Sequence, residues 1–594
     1  MDRPRAAFGD PRPQHQVAPA GADRFRDRLE LNWIERTVGI HETDDVGGRG
    51  PQTGPTGRAE APPGFVHDDG TEAPGDVARA VGTCVVDDDG PEAGGDGSEQ
   101  GGESGGFVED GEHDVGHEGG RYYGDRFRVG PGHSRDRWLA LLTASAIMAV
   151  LLGLAAHVGT RVLDPRTFVN APPFYGYWRN ALGLSTLVPT VVAAVVITCA
   201  HRRYEIGWRW LLAGAVTAGL AWSFGLGVAD HIGRLTYQLN TRPDYAAGLG
   251  PIGSHPGGYL ETFHEAARGP SSQVIARGYP IHVQGHPPGA VLTLWALTRL
   301  GLGPIGGGIV LVWLGQAAMI VGVLSSVRRL AGEAAARAVV PFVVLLPGAV
   351  WSHTYDSFFA GVAALAIAAT LNALVAPADP AVRADGPHAG WTWVAWAVTG
   401  GVLFGYLGLL SYGLVLLALG PVLVALRNRR LGPLLVSGLA AITTMAIPAA
   451  WGFNWFEGLA TTHHQYVTTV ASIRPYHYFV WANLVITAFA VGPAAVAGFL
   501  LAARRIRATP RDPWRGAGPL VLGAVAALLL ADLSGLAKAE VDRIFQPFYI
   551  WIAVAAVAMA GPIRARRRDG AETVALSLQA IIAVVLATQL RSPW

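Results

Sequence analysis

Six ionisable side chains stand where apolar blocks of the sequence break off: Asp230, His286, Asp356, Lys538, Glu540 and Arg543. Their types suit group-transfer chemistry at a membrane edge. In WSFGLGVADHIGRLTYQ, Asp230 directly follows an apolar block. A carboxylate there is partly desolvated, which raises its basicity and suits a general base; the plainer reading is a helix-end acid hydrated among headgroups. In HVQGHPPGAVLTLW, His282 and His286 lie four apart, the spacing of zinc ligands on a helix. Pro280, Gly285, Pro287 and Pro288 break any regular helix through both, and no third ligand stands at a recognisable spacing, so no metal site is assigned. Pro287 and Pro288 instead fit the first turn of a membrane helix. His286 then lies at the positive end of that helix, able to hydrogen-bond a phosphate.

VWSHTYDSFFAGVAAL repeats the layout, with Asp356 at the rim. Capping of the following helix is its ordinary reading, and binding becomes the alternative because Asp356 shares a face with Asp230. The stretch DLSGLAKAEVDRIFQPFYIW carries Lys538, Glu540, Asp542 and Arg543 ahead of another apolar block. Arg543 can grip a phosphate with its planar fork while Lys538 adds a point charge; an internal ion-pair set is the competing reading. His463 and His464 are adjacent, so on a helix they point in different directions and make a poor metal pair.

What positions these groups is a chain of two unlike parts. Residues 1–135 are rich in Gly, Asp, Glu, Pro and Arg, too polar to offset their ordering entropy, and are expected to be a disordered tail. From Trp138 onward come apolar blocks of about 15–22 residues, the pattern of a multi-pass helical membrane protein. The net charge of +1 says little, because an acidic tail and basic loops cancel. Cys84 and Cys199 are the only cysteines, which excludes a disulfide framework or thiolate metal cluster. The first apolar block comes too late for a cleavable signal peptide, so none is expected. Of 46 basic residues only Lys538 is lysine.

The arginine clusters at 135–137, 201–205, 327–337, 427–430, 504–511 and 564–568 are expected in the cytoplasm. Spans consistent with this run over 138–158, 182–200, 208–228, 337–350, 357–376, 391–409, 412–426, 432–450, 480–502, 517–533, 548–563 and 572–590. The region 287–325 supplies one net crossing, its first piece, 287–301, being a partial or re-entrant helix. The expected fold is therefore all-α, with about thirteen transmembrane helices. The amino end lies in the cytoplasm, and outer loops 229–286, 351–356, 451–479 and 532–547 share the extracytoplasmic face. An amphipathic helix around 259–268 is expected to lie on the membrane surface.

This layout resembles the GT-C membrane glycosyltransferases that use polyprenyl-phosphate sugars, with protein O-mannosyltransferases and aminoarabinose transferases nearest in pattern. The matching residues are Asp230, the helix Tyr259–Ala267, His286-Pro287-Pro288-Gly289, Asp356, and the late loop with Glu540 and Arg543. The family often has an acidic pair where this chain has Asp230-His231, and Leu where it has Gly289. Residue usage is similar to that of actinobacterial members, whose donors carry arabinose or mannose on decaprenyl phosphate. The resemblance implies transfer from such a donor to an envelope glycan or glycolipid acceptor in the cytoplasmic membrane, by inverting single displacement. Asp230 would be the base; His286, Arg543, Lys538, Glu540 and Asp356 would line the substrate site. It requires no cofactor, leaves a divalent cation open, and implies no nucleic-acid partner. The competing class is a transporter or flippase for a lipid-linked precursor, which predicts broken helices near the midplane and repeat symmetry between halves.

Overall fold

The computed structural model describes residues 131–240, 244–376, 391–508, 514–561 and 569–592. The expected disordered tail lies outside the described residues except for 131–135, which already belong to the first helix. The basic cluster 564–568 is also outside them.

The chain folds as helices joined by short turns. In order they are α1 (Pro131–Val162), α2 (Leu187–Cys199), α3 (Trp208–Asp230), α4 (Pro256–Ala266), α5 (Gly289–Arg299), α6 (Pro304–Ala331), α7 (Glu333–Val344) and α8 (Tyr355–Leu374). There follow α9 (Thr392–Leu410), α10 (Leu419–Arg427), α11 (Leu431–Ala446), α12 (Trp455–Thr468), α13 (Tyr476–Val491), α14 (Pro493–Ala508), α15 (Trp514–Leu533), α16 (Gln546–Ile552) and α17 (Gly570–Gln589). One two-stranded pairing, β1 (Tyr177–Trp178) with β2 (Leu590–Arg591), ties the last strand to the turn before α2.

Nine helical segments among the described residues are long and apolar enough to cross a membrane. They coincide with nine of the expected spans. The other four fall on a pair bent by 105° and on three shorter helices. The bent pair is α13–α14, broken at Gly492, which takes a φ of +86° that other residues adopt only under strain. The shorter ones are Gly413–Arg427, Gln546–Met559 and α7 with the turn after it. On α11, Leu435, Leu439 and Ile442 form an outward apolar stripe, the inverse of a water-soluble surface. Inside, α6 and α8 approach so closely that a Cβ on Gly315 or Gly361 would strike the facing backbone. The chain is a multi-pass helical membrane protein.

Its partial helix matches expectation. α5 has eleven residues, about 17 Å at 1.5 Å each, too short for a 30 Å hydrocarbon core. It also stays at one end of the bundle, since Trp295 Nε1 near its last turn donates to the Gly253 carbonyl at 2.9 Å. α6 then makes the crossing.

Charges sort to the two ends of the bundle. At one end Arg137 pairs with Asp569 at 2.7 Å, Arg203 with Glu572 at 2.8 Å and Arg328 with Glu333 at 2.6 Å. Arg337 joins them through Glu333 and the Arg203 carbonyl. These arginines come from three of the clusters expected on one side. The candidate site occupies the opposite end.

Candidate functional site

Four separated segments meet around Arg543. It lies in a short helical turn, Val541–Ile544, between α15 and α16. One arm of its fork donates to Asp356 Oδ2 at 3.0 Å; the other donates to Glu540 Oε2 at 2.9 Å and to His282 Nε2 at 3.0 Å. Asp356 sits in the first turn of α8 and also accepts from Thr354 Oγ1 at 3.1 Å. Its expected capping role is absent: the helix has no side-chain cap. The arginine takes the carboxylate instead. A planar fork satisfies several acceptors at once, which a point charge does not.

Glu540 is shared with Arg474, whose guanidinium donates to Glu540 Oε1 at 3.1 Å and lies over the Tyr175 ring. Burial favours its neutral acid, but Arg474 and Arg543 outweigh this and hold the carboxyl below its ordinary range. Lys538 differs from expectation. Its amine donates to the carbonyls of Ala471 at 2.8 Å and Arg474 at 3.1 Å, so it fastens the α12–α13 connection rather than standing open to a phosphate. Burial, and then Arg474, lower its pKa.

His282 and His286 do converge on this centre, but not as a metal pair. The His282 Nδ1 lies 3.6 Å from Asp244 Oδ1, and its Nε2 accepts from Arg543, which places the ring's N–H on Nδ1. Asp244 is buried and accepts the Tyr245 backbone N–H at 2.7 Å. The His286 Nδ1 donates to the Leu410 carbonyl at 3.2 Å, and its ring packs against Tyr245 and Phe359. Burial pushes its pKa down to about 4, so the ring is neutral near pH 7 and Nε2 carries a lone pair. Such a nitrogen accepts hydrogen bonds. It matches a substrate hydroxyl better than the phosphate oxygen expected from the sequence.

Gly289 stands at a close approach between helices. A Cβ there would lie 2.9 Å from the Leu409 carbonyl carbon, so the start of α5 packs directly on the end of α9. That contact holds His286 beside Leu410.

Over this centre lie two surface helices. α4 covers 256–266, close to the expected amphipathic segment, and α12 is capped by Asn454, whose side chain accepts from Phe456 and Glu457 N–H groups. They are joined by Gln465, which donates to the Ala267 and Gly269 carbonyls at 3.0 and 2.9 Å, and by the Arg268–Glu457 ion pair.

Asp230 stands apart. Its side chain is buried rather than partly exposed at the rim, and both oxygens meet guanidinium groups: Arg179, Arg234 at 3.3 Å and Arg591 at 2.6 Å. Reaching a substrate hydroxyl would require displacing an arginine, which departs from the expected free base. Among the described residues no three His, Cys, Asp or Glu side chains gather as a metal set, and Asp230 is already engaged.

Sequence reasoning passed over Arg474, Arg179 and Arg591. Arg234, four residues after Asp230, carried a usable helical-spacing signal. Arg179 and Arg591 are 51 and 361 residues from Asp230, with no local pattern to betray them.

No family model and no curated protein matches the chain. Among solved structures, the crystal structure of ArnT from Cupriavidus metallidurans bound to undecaprenyl phosphate is similar at 16% identity, with a TM-score of 0.36. The match covers 59% of this chain and 60% of that one, so the chain spans less than two thirds of the solved protein's length.

Proposed function

We propose that the chain is a membrane glycosyltransferase that moves a sugar, arabinose or mannose, from a polyprenyl-phosphate donor to an acceptor of the cell envelope. The observation that carries this reading is the Arg543 centre: one guanidinium fork flanked by two histidines and three carboxylates, beneath two surface helices at one end of a membrane bundle. The centre faces the extracytoplasmic side, opposite the Arg137–Asp569 end.

The reaction is a single displacement at the anomeric carbon. The acceptor oxygen bonds to that carbon as the bond to the phosphate oxygen breaks, and the configuration inverts. The leaving polyprenyl phosphate needs no proton, and its charge is met by Arg543. The acceptor's proton goes to a carboxylate. We place that role on Asp244 rather than Asp230, because Asp244 has no arginine partner among the described residues and lies 3.6 Å from His282 of the Arg543 centre. A buried anion there also favours the positive charge that develops on the sugar ring. The neutral His286 accepts from a sugar hydroxyl, and Asp356 and Glu540 hold the Arg543 fork in its plane.

Membranes containing the native chain should transfer labelled sugar from a decaprenyl-phosphate donor. Arg543→Lys keeps the charge but loses the fork, and should raise the donor KM at least about tenfold. No transfer by the native chain with donors of either sugar, alongside movement of the lipid across the bilayer, would replace this reading with a flippase.

A further inference from the structure

A second charged centre lies where the β1–β2 pairing closes the chain. Tyr177 pairs with Arg591 and Trp178 with Leu590, and the Arg179 N–H donates to the Gln589 carbonyl at 2.7 Å. This register sets the Arg179 and Arg591 side chains next to one another. Both reach Asp230, and Arg234 joins one turn farther along. Three guanidinium groups therefore share one carboxylate. Asp542, which is fully buried, also acts on Arg234, and with it counted three guanidinium groups face two carboxylates, so the group stays net positive.

The excess charge is turned outward. Arg234 is buried, whereas the side chains of Arg179 and Arg591 are 41% and 29% exposed. Beside them the surface is apolar: Tyr177, Trp178, Leu182, Leu184 and Leu187 are all exposed, leading onto the outer face of α2. Aromatic rings flanking basic residues at a helix end mark a membrane interface. A pair of arginine forks above an apolar strip is complementary to one kind of ligand, a phosphate attached to a hydrocarbon chain.

We infer that Arg179 and Arg591, braced by Asp230 and Arg234, bind the phosphate of an amphiphile whose apolar chain lies along Leu182, Leu184 and Leu187. The site is separate from the Arg543 centre and its existence does not depend on the transfer reaction. Asp230 here limits affinity while ordering the arginines.

The test is titration of the purified full chain, in an uncharged detergent, with dodecyl phosphate and with inorganic phosphate. Arg179→Lys and Arg591→Gln should each weaken dodecyl phosphate binding about tenfold, and Asp230→Asn, which removes the competing carboxylate, should tighten it. Leu184→Ser should weaken dodecyl phosphate and leave inorganic phosphate unchanged. Arg179→Lys alters an exposed group and keeps its charge, so an unchanged melting temperature certifies its fold. Equal binding of dodecyl phosphate by the native chain and the arginine variants would overturn the site. Equal affinity of the native chain for the two phosphates would overturn the amphiphile as its ligand.

Discussion

Arg543 touches three side chains from three segments, and its neighbours decide what each can do. Asp356 lies 187 residues away, yet both were legible as members of one face, because polar residues are scarce between apolar blocks and the arginine clusters orient those blocks. Which carboxylate is free was not legible. Asp230 and Asp244 are both acids of the same outer loop, and only folding shows that arginines surround the first while the second lies 3.6 Å from His282 and accepts a backbone N–H. His286 allows a test independent of turnover. Its folded pKa of about 4 lies below the ordinary value of 6.5, so the unfolded chain binds the proton first. The resulting stability is complete above pH 6.5 and drains away as pH falls toward 4. His353, buried beside Arg234 and lowered to about 3, acts in the same sense. Melting temperatures measured from pH 7 to 4 should fall more steeply for the native chain than for His286→Gln; equal slopes would contradict the neutral ring.

Among elements, α5 positions His286, which lies just before it, through the contact of Gly289 with the end of α9. Its apolar run and the following Gly/Pro break announced a partial helix, because two full crossings would have put Arg328 and Arg329 on the wrong side. The sequence pattern did not disclose why Gly289 opens it. The reason is a close approach to the Leu409 backbone, and contacts between distant elements leave no periodic trace. Gly289→Ala should cost about 1–3 kcal/mol through overpacking, read as a lower unfolding midpoint, and should reduce transfer by displacing His286. Native stability in that variant would show that α5 has room to shift.

For the whole molecule, a multi-pass helical bundle was legible because each crossing needs an apolar block, but thirteen crossings was too many. Among the described residues nine helices are long and apolar enough to cross, or ten with the bent pair as one span. The remaining expected spans fall on the bent α13–α14 pair and on shorter helices, where apolar runs such as Gln546–Met559 are largely buried inside the protein. The charge rule predicts that the ion-paired end opposite the site lies in the cytoplasm. A cysteine at the exposed His231 should react with a membrane-impermeant thiol reagent on intact cells, whereas one at the exposed Arg202 should react only after permeabilisation. The reverse pattern would put the site in the cytoplasm. In the proposed sugar transfer, Asp244 takes the acceptor's proton. Single-turnover transfer from a labelled polyprenyl-phosphate sugar, with donor binding measured on the same protein, tests it most directly. Asp244→Asn should slow transfer by about 10²–10⁴-fold while donor binding stays near native. Transfer by Asp244→Asn at the native rate would remove Asp244 from the role of base.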